Sequence, residues 1–477
     1  MAFASNSQRS LEALLVFAST VLLAWFGNGL NPWWPLLWFA PLPVLWFALR
    51  SSWRRAVLMA GLSWLTGCLN LWGYMRMLGA PFFLWLLVFS IAALAFALAV
   101  LLFRALVLRG ALWSALFAFP STWVAYEFAR DLISVHGTAA SLAYSQLRFL
   151  PFLQLASITG PWGISFVLLL FSAALAIGLH LRKTAPKQAG RVVGATLGVI
   201  VMVLVFGAVR LMLPRPREEV KVGLIASDDA PRVAAEGADT DWLFASYARK
   251  AEQLVGLGAQ AIVLPEKIGV VLDSENGATG SIFQPLANRT NSTVVVGEVH
   301  ISPPARYNQA RVYTPNAPVL TYDKHHMLPP FESNLTAGTT LLLIPKPSTI
   351  WGVAICKDMD FTPLLGEYGR AGVGLMLVPA WDFNVDRTWH GHMAIMRGVE
   401  DGFSIARAAR NGYLTVSDDR GRILAEARSD SAPFAALLAE VPVAHEATLY
   451  LLMGDWFGWF ATAILALTIF QLYRLRH

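Results

Sequence analysis

The sequence predicts a two-part molecule: an α-helical transmembrane bundle of about eight spans, and a layered α/β domain inserted before the last span. Three observations lead there. Of 477 residues, 56% are hydrophobic and 14% charged, against roughly 45–50% and about 25% in soluble domains. The apolar residues cluster in runs near the ~20 that a helix needs to cross the hydrocarbon core. Between residues 220 and 447 the composition reverts to that of a water-soluble α/β protein.

The same arithmetic excludes disorder, collagen and coiled coil. Two cysteines, Cys68 and Cys356, exclude a disulfide framework and a Cys-rich zinc fold. The net charge of +6 hides a split: residues 1–215 carry 15 Lys/Arg against three acids, and residues 216–477 carry 22 against 28. The positive charge therefore sits in the hydrophobic part, where it reports membrane orientation, and no nucleic-acid partner is expected.

The apolar stretches run approximately over 11–28, 34–49, 56–74, 82–103, 111–129, 162–181, 192–213 and 449–472. The first lacks a small-residue cleavage site and further spans follow at once, so it reads as a retained span. Basic residues alternate between the connections. Arg9, the Arg50/Arg54/Arg55 group, Arg104 with Arg109, the Arg182–Arg191 group and Arg474 share one side, whereas Arg76, Arg130 and Arg148 face the other. By the positive-inside rule both termini are cytoplasmic. The α/β insert then lies outside the inner face, in a periplasm or its equivalent, where an unpaired Cys356 suggests a reactive thiol. Domains are expected over 1–215, 220–447 and 448–477. The stretch 130–160 is too polar to span and reads either as a re-entrant or interfacial segment or as a loop. The NPWWP word near Trp33 reads as an interfacial anchor.

Within the insert, VKVGLIAS, AQAIVLPE, STVVVGEVHIS, APVLTYDK, TIWGVAIC and GVGLMLVPA are strand-like, and the run ending at Gly258 is helical. Three polar residues stand just after apolar strands: Glu266, Lys324 and Cys356. Sites in α/β sheets lie at the carboxyl ends of strands, so the three are candidates for one site. Their chemistry is coherent. A thiol becomes a strong nucleophile as thiolate, a carboxylate can take its proton, and a lysine can stabilise the tetrahedral oxyanion. The set predicts two-step acyl transfer or amide cleavage through a thioester.

These residues sit in words that resemble the carbon–nitrogen hydrolase (nitrilase) superfamily: LPE, YDKHHMLPPFE, VAIC and a downstream Arg397-x-x-Glu400. With the surrounding spans the chain is similar to the superfamily's membrane-embedded branch, the apolipoprotein N-acyltransferase family. WVAYEFAR, Tyr144 to Gln146, GPWGISF, RNGYLTVSDDRGRIL and TLYLLMGDWFGW resemble further segments of that branch. The resemblance implies a four-layer αββα nitrilase-like sandwich. It also implies transfer of a fatty acyl chain from a phospholipid to a diacylglyceryl lipoprotein, in the bacterial inner membrane, by a monomer without cofactors. It implies Glu266 as general base, Lys324 as oxyanion stabiliser and Cys356 as nucleophile. Glu332 would orient the lysine or the thiol, and Tyr307, Asn308, Trp242 and Tyr144 would be substrate-side residues. Asp358 takes the place of a supporting carboxylate, in a Lys357-Asp358 pair where the family has Tyr-Glu.

The remaining chemistry-bearing residues read as structural. The His325/His326 and His390/His392 pairs lack further ligands at zinc spacing, so no metal is expected. Glu298 reads as a supporting or solvated residue, Cys68 as packing, and Arg130 with Asp131 as an interfacial pair. Two other functions stay open: a membrane-tethered amidase or nitrilase with water as acceptor, and an inactive lipid-binding paralogue.

Overall fold

The computed structural model describes residues 6–214, 218–228, 238–273 and 276–475. The chain divides into two compact units. One comprises Met1–Ser134, Ala140–Met212 and Met453–His477; the other comprises Val135–Ala139 and Leu213–Leu452.

The first unit is helical. Among the described residues, six helices are long and apolar enough to cross a membrane: Gln8–Gly27, Trp53–Met77, Phe82–Val107, Pro161–Leu181, Pro186–Met212 and Trp456–Arg474. Two of the eight expected stretches take other forms. The 34–49 run breaks into Trp34–Leu37 and Leu42–Ala48, because Pro41 and Pro43 lack the N–H groups that would continue the helical ladder. Leu112–Asp131 is one continuous helix despite Pro120, and its last turns carry Glu127, Arg130 and Asp131. Glu127 is buried and fully used. It accepts from Trp123 Nε1 (3.0 Å), Ser141 Oγ (3.1 Å) and the Leu142 amide (2.7 Å). It thereby fixes the start of a buried 3-10 turn, Leu142–Gln146. Gln146 accepts from Trp38 Nε1 (2.8 Å) and donates to the Trp34 carbonyl (3.1 Å). The 130–160 stretch is thus folded into the helical unit over its 140s, not laid on it as a loop.

The second unit is a four-layer αββα sandwich. One sheet runs in the order β13-β1-β2-β4-β5-β6, with β3 beside β4. Its strands are Glu219–Ala226 (β1), Ala261–Val263 (β2), Val270–Leu272 (β3), Thr293–Ser302 (β4), Ala305–Tyr313 (β5), Leu320–Asp323 (β6) and Ala435–Pro442 (β13). The other runs β12-β11-β10-β9-β8-β7, from Leu342–Pro345 (β7), Ile350–Val353 (β8), Val373–Trp381 (β9), Ser404–Arg410 (β10), Tyr413–Ser417 (β11) and Ile423–Arg428 (β12). The pairs β1/β2, β2/β4, β8/β9 and β9/β10 are parallel. The apolar runs of these strands are buried on both faces, as parallel sheets require. Val222, Leu224, Val263 and Val295 meet Leu375, Leu377 and Ala406 between the sheets. The helices Ala238–Gly256 and Asn276–Thr290 cover the outer face of the first sheet, through Leu243, Tyr247 and Phe283 against Ile225, Ile262 and Val294. Helices Thr362–Arg370 and Trp389–Asp401 belong to the second sheet's side; Gly352 allows this, since a Cβ there would lie 2.8 Å from the Tyr368 ring.

The period of two along β4 decides which residues can reach the site. Val295 faces the inter-sheet core and Val296 the outer helices. Glu298 shares the face of Val296. It is therefore neither solvated nor beside the strand-end site: it is buried, with Arg311 Nε 2.6 Å from its Oε1. Burial pushes its carboxyl up to about 7, against the opposing pull of Arg311. A raised acid holds its proton in the folded state while the unfolded chain has lost it, so its contribution to stability falls as pH rises from the ordinary 4.5 towards 7. Glu298→Gln, which mimics the protonated form, should gain on wild type by up to about 3 kcal/mol across that window. Thermal melts of both chains between pH 4.5 and 7 check this; parallel curves would contradict it.

Candidate active site

Glu266, Lys324 and Cys356 each sit just past a strand end. Glu266 follows β2 through Leu264 and Pro265, and its amide donates to the Ala380 carbonyl (3.3 Å). That turn crosses β4 at Gly297, where a Cβ would fall 2.3 Å from the Pro265 carbonyl, so the close approach requires glycine. Lys324 follows β6, and its amide donates to the Asn308 carbonyl (2.8 Å). Cys356 lies three residues past β8 and opens a 3-10 turn, Cys356–Asp360, with φ +45°.

The polar centre is buried. Lys324 Nζ donates to Glu266 Oε1 and to Glu332 Oε2, each at 2.8 Å. Asn308 Nδ2 bridges the same two carboxylates, at 2.6 Å from Glu266 Oε1 and 2.7 Å from Glu332 Oε1. Lys267 Nζ lies 2.5 Å from Glu332 Oε1 and 3.7 Å from Glu266 Oε1. Glu332 Oε2 also accepts from the Leu328 amide (2.8 Å). The hydrogen bonds to Glu266 all fall on Oε1, which leaves Oε2 with its lone pairs free.

Electrostatics follow from this packing. Burial alone would raise the Glu332 carboxyl, but Lys324 and Lys267 outweigh it and hold it well below the usual range. Burial alone would lower Lys324, but Glu266 and Glu332 keep it well above the ordinary lysine value. Burial pushes the Cys356 thiol well up and the Glu266 charge adds to this, while Lys324 and Arg407 pull the other way. The resting group is a thiol, donating to the Trp381 carbonyl at 3.5 Å. A carboxylate and an ammonium stand within electrostatic reach of it.

Asp358 ties the lysine segment to the cysteine turn. It accepts from the amides of Ile355 (3.1 Å), His325 (3.2 Å) and His326 (2.8 Å), and from the Tyr322 hydroxyl (2.8 Å). One carboxylate thus spans from the end of β6 to the residue before Cys356. His326 serves the same brace: its Nδ1 is 3.2 Å from Asp358 and its ring stacks on Phe361 at 3.5 Å.

The remaining sequence candidates divide. Asn308 reaches the carboxylates, and Tyr307 beside it in β5 takes the opposite face and pairs with His300. Trp242 is 61% exposed on the helix Ala238–Gly256, with its ring against Phe434. Tyr144 is buried in the helical unit. Arg397 and Glu400 form a buried 2.9 Å ion pair within one helix. Sequence reasoning missed Lys267. It stands in a left-handed turn (φ +52°), its ammonium 5.2 Å from the centre of the Trp381 ring, and its only signal is adjacency to Glu266 in LPEK.

Comparison with known proteins gives a consistent picture. The family model described as Apolipoprotein N-acyltransferase N-terminal domain matches residues 12–174. The apolipoprotein N-acyltransferase of Geobacter metallireducens is 27% identical, over 95% of this chain and 93% of that protein. That of Haemophilus ducreyi is 24% identical over 89% of each. Among solved structures, a mutant of the amidase of Nesterenkonia AN1, from the nitrilase superfamily, superposes with a TM-score of 0.43 at 19% identity, over 51% of this chain and 96% of that one. The family model thus matches part of the helical unit, and the chain is similar over most of its length to curated apolipoprotein N-acyltransferases.

Proposed function

We propose that this protein transfers a fatty acyl chain from a phospholipid to the free α-amino group of a diacylglyceryl-cysteine lipoprotein, through a thioester on Cys356. The observation that carries the reading is the buried Glu266–Lys324–Glu332 centre beside a strand-end thiol, in a chain with six membrane-length helices among the described residues. In the first half-reaction Glu266 Oε2 takes the thiol proton and Sγ attacks the ester carbonyl carbon. The oxyanion forms against the Lys324 ammonium. The C–O bond then breaks, and the departing lyso-phospholipid oxygen receives the proton held by Glu266. In the second half-reaction the neutral amine attacks the thioester carbon, Glu266 takes an amine proton, and the C–S bond breaks. The thiolate is then reprotonated from Glu266.

Membrane anchoring fits this chemistry. Drawing a 16-carbon tail into water costs roughly 13 kcal/mol, at about 0.8 kcal/mol per CH₂. An enzyme seated in the bilayer leaves the tail in lipid and handles only the ester. The alternation of basic loops supports an inner-membrane topology with both termini cytoplasmic and the α/β unit periplasmic. The chain acts in this reading as a monomer without metal or cofactor, since every role falls to its own side chains.

Intact-protein mass spectrometry after incubation with phospholipid should show one fatty-acyl mass on Cys356, which a diacylglyceryl-peptide then removes as its N-acylated product. Cys356→Ala should abolish both signals and Cys356→Ser should leave little; full acylation by the alanine variant would refute the assignment, and turnover with water alone would indicate a hydrolase. Asp358→Ala should lower kcat by ~10²-fold with little change in lipid KM, because a displaced nucleophile costs rate rather than binding. Steady-state kinetics, with a melting curve for the accompanying loss of stability, check that outcome.

A further inference from the structure

The helix Leu112–Asp131 ends in the helical unit, and the chain returns to that unit at Ala140. Between them Val135–Ala139 packs inside the α/β unit, against the turn that carries the nucleophile. Thr138 donates to the Asp360 carbonyl twice, through its amide (3.2 Å) and its Oγ1 (3.0 Å). Gly137 has φ +53°, and a Cβ there would fall 2.4 Å from the same carbonyl. His136 Nδ1 lies 3.1 Å from Lys357 Nζ. Lys357 is only 4% exposed, and its ammonium is 3.6 Å from Asp360 Oδ2.

The nucleophile turn needs such support. Cys356 occupies a left-handed conformation that a non-glycine residue holds only when its surroundings over-determine it. Asp358 secures the turn from the lysine side, and Asp360 and Lys357 are secured from the 135–139 side. Lys357 also follows Cys356 directly in sequence, so a buried cation and the reacting sulfur share one short turn. We propose that Lys357, held by His136 of the 135–139 strap, is a positioning residue of the acyl-transfer site: it fixes the nucleophile turn and adds to Lys324 and Arg407 a further positive charge that favours the Cys356 thiolate. The proposal rests on Cys356 as the nucleophile.

The charges around the thiol define the background. Glu266 and Lys324 face it from the first sheet, and Asp382 and Arg407 from the second. Behind Lys357 stand Asp360, His390 and Asp386, with His390 3.6 Å from Asp360 and 3.2 Å from Asp386. A cation removed from this set leaves the thiolate with fewer compensating charges, and one pKa unit is a tenfold change in thiolate fraction.

The test is the rate of iodoacetamide alkylation of Cys356 against pH, in the full-length protein in detergent, read by peptide mass spectrometry so that Cys68 is resolved separately. Lys357→Gln, which keeps a polar group without the charge, should move the alkylation midpoint up by about one unit and slow the reaction about tenfold near neutral pH. Lys357→Arg should restore most of the wild-type rate. His136→Ala should give a smaller effect in the same direction. The double variant should react no more slowly than Lys357→Gln alone, since contacting residues that act as one unit are not additive. An unchanged midpoint in Lys357→Gln, or full multiplication of the two single effects, overturns the proposal. Should Lys357→Gln not fold, the midpoints of Lys357→Arg and His136→Ala decide: a wild-type midpoint in His136→Ala overturns it. A lysine-dependent midpoint in a protein that forms no acyl thioester with phospholipid would keep this inference and sink the acyltransferase reading.

Discussion

The site depends on one ammonium group shared between two buried carboxylates. Lys324 sits 2.8 Å from both Glu266 and Glu332. Two anions with one cation would leave a net charge in a low-dielectric interior, a state proteins avoid. Lys267 supplies the second cation, 16% exposed, and Asn308 adds an amide donor to each carboxylate. The four charges balance. Removing any one of them would leave a buried charge without compensation, typically at a cost of about 3–5 kcal/mol. The centre is therefore a unit whose members compensate one another's charge, more than a set of separate parts.

The sandwich exists around that unit in a specific sense. Parallel strands deliver their carboxyl ends to one edge, and Glu266, Lys324 and Cys356 are each reached within three residues of such an end. Three local devices then set the distances. Gly297 lets the Pro265–Glu266 turn cross β4 at contact. The β4/β5 register places Asn308 opposite Val299, on the face towards the carboxylates. Asp358 gathers amides from both sides of the inter-sheet gap. None of these residues needs to touch substrate, yet the geometry of Lys324 against Cys356 runs through them.

Much of this is legible in the chain itself, and the part that is not has physical causes. Strand-end placement of Glu266, Lys324 and Cys356 can be read because an apolar run ending on a polar residue is a local pattern. Asn308 can be picked out, but its task cannot, since bridging two carboxylates depends on pairing between residues far apart in sequence. Tyr307 and Glu298 look eligible by proximity along the chain, and the alternation of faces removes both from the carboxylate centre. Lys267 carries no periodic signal because it lies in a left-handed turn. The helical unit shows the same limit: hydropathy finds the six long helices among the described residues, and Pro41 and Pro43 divide a further stretch. Glu127 gives no sign that it is a buried cap for a turn fifteen residues away.

The thiol's electrostatics explain why base and cation must work in sequence in the proposed cycle. A sulfur whose pKa is raised is a strong nucleophile once ionised and a poor leaving group afterwards. Burial and Glu266 push Cys356 in that direction, and Lys324 and Arg407 oppose them. When Glu266 takes the proton, its own charge is lost and its repulsion of the sulfur vanishes, so the thiolate becomes accessible only at that moment. The ammonium that was shared by two carboxylates then has spare positive potential, first for the thiolate and next for the oxyanion that the same sulfur creates. In the second half-reaction the order reverses: the amine's proton neutralises Glu266 as the thiolate departs, and Lys324 again faces the departing negative charge. A single cation can therefore serve both steps because proton transfer to its neighbour changes what it is paired with.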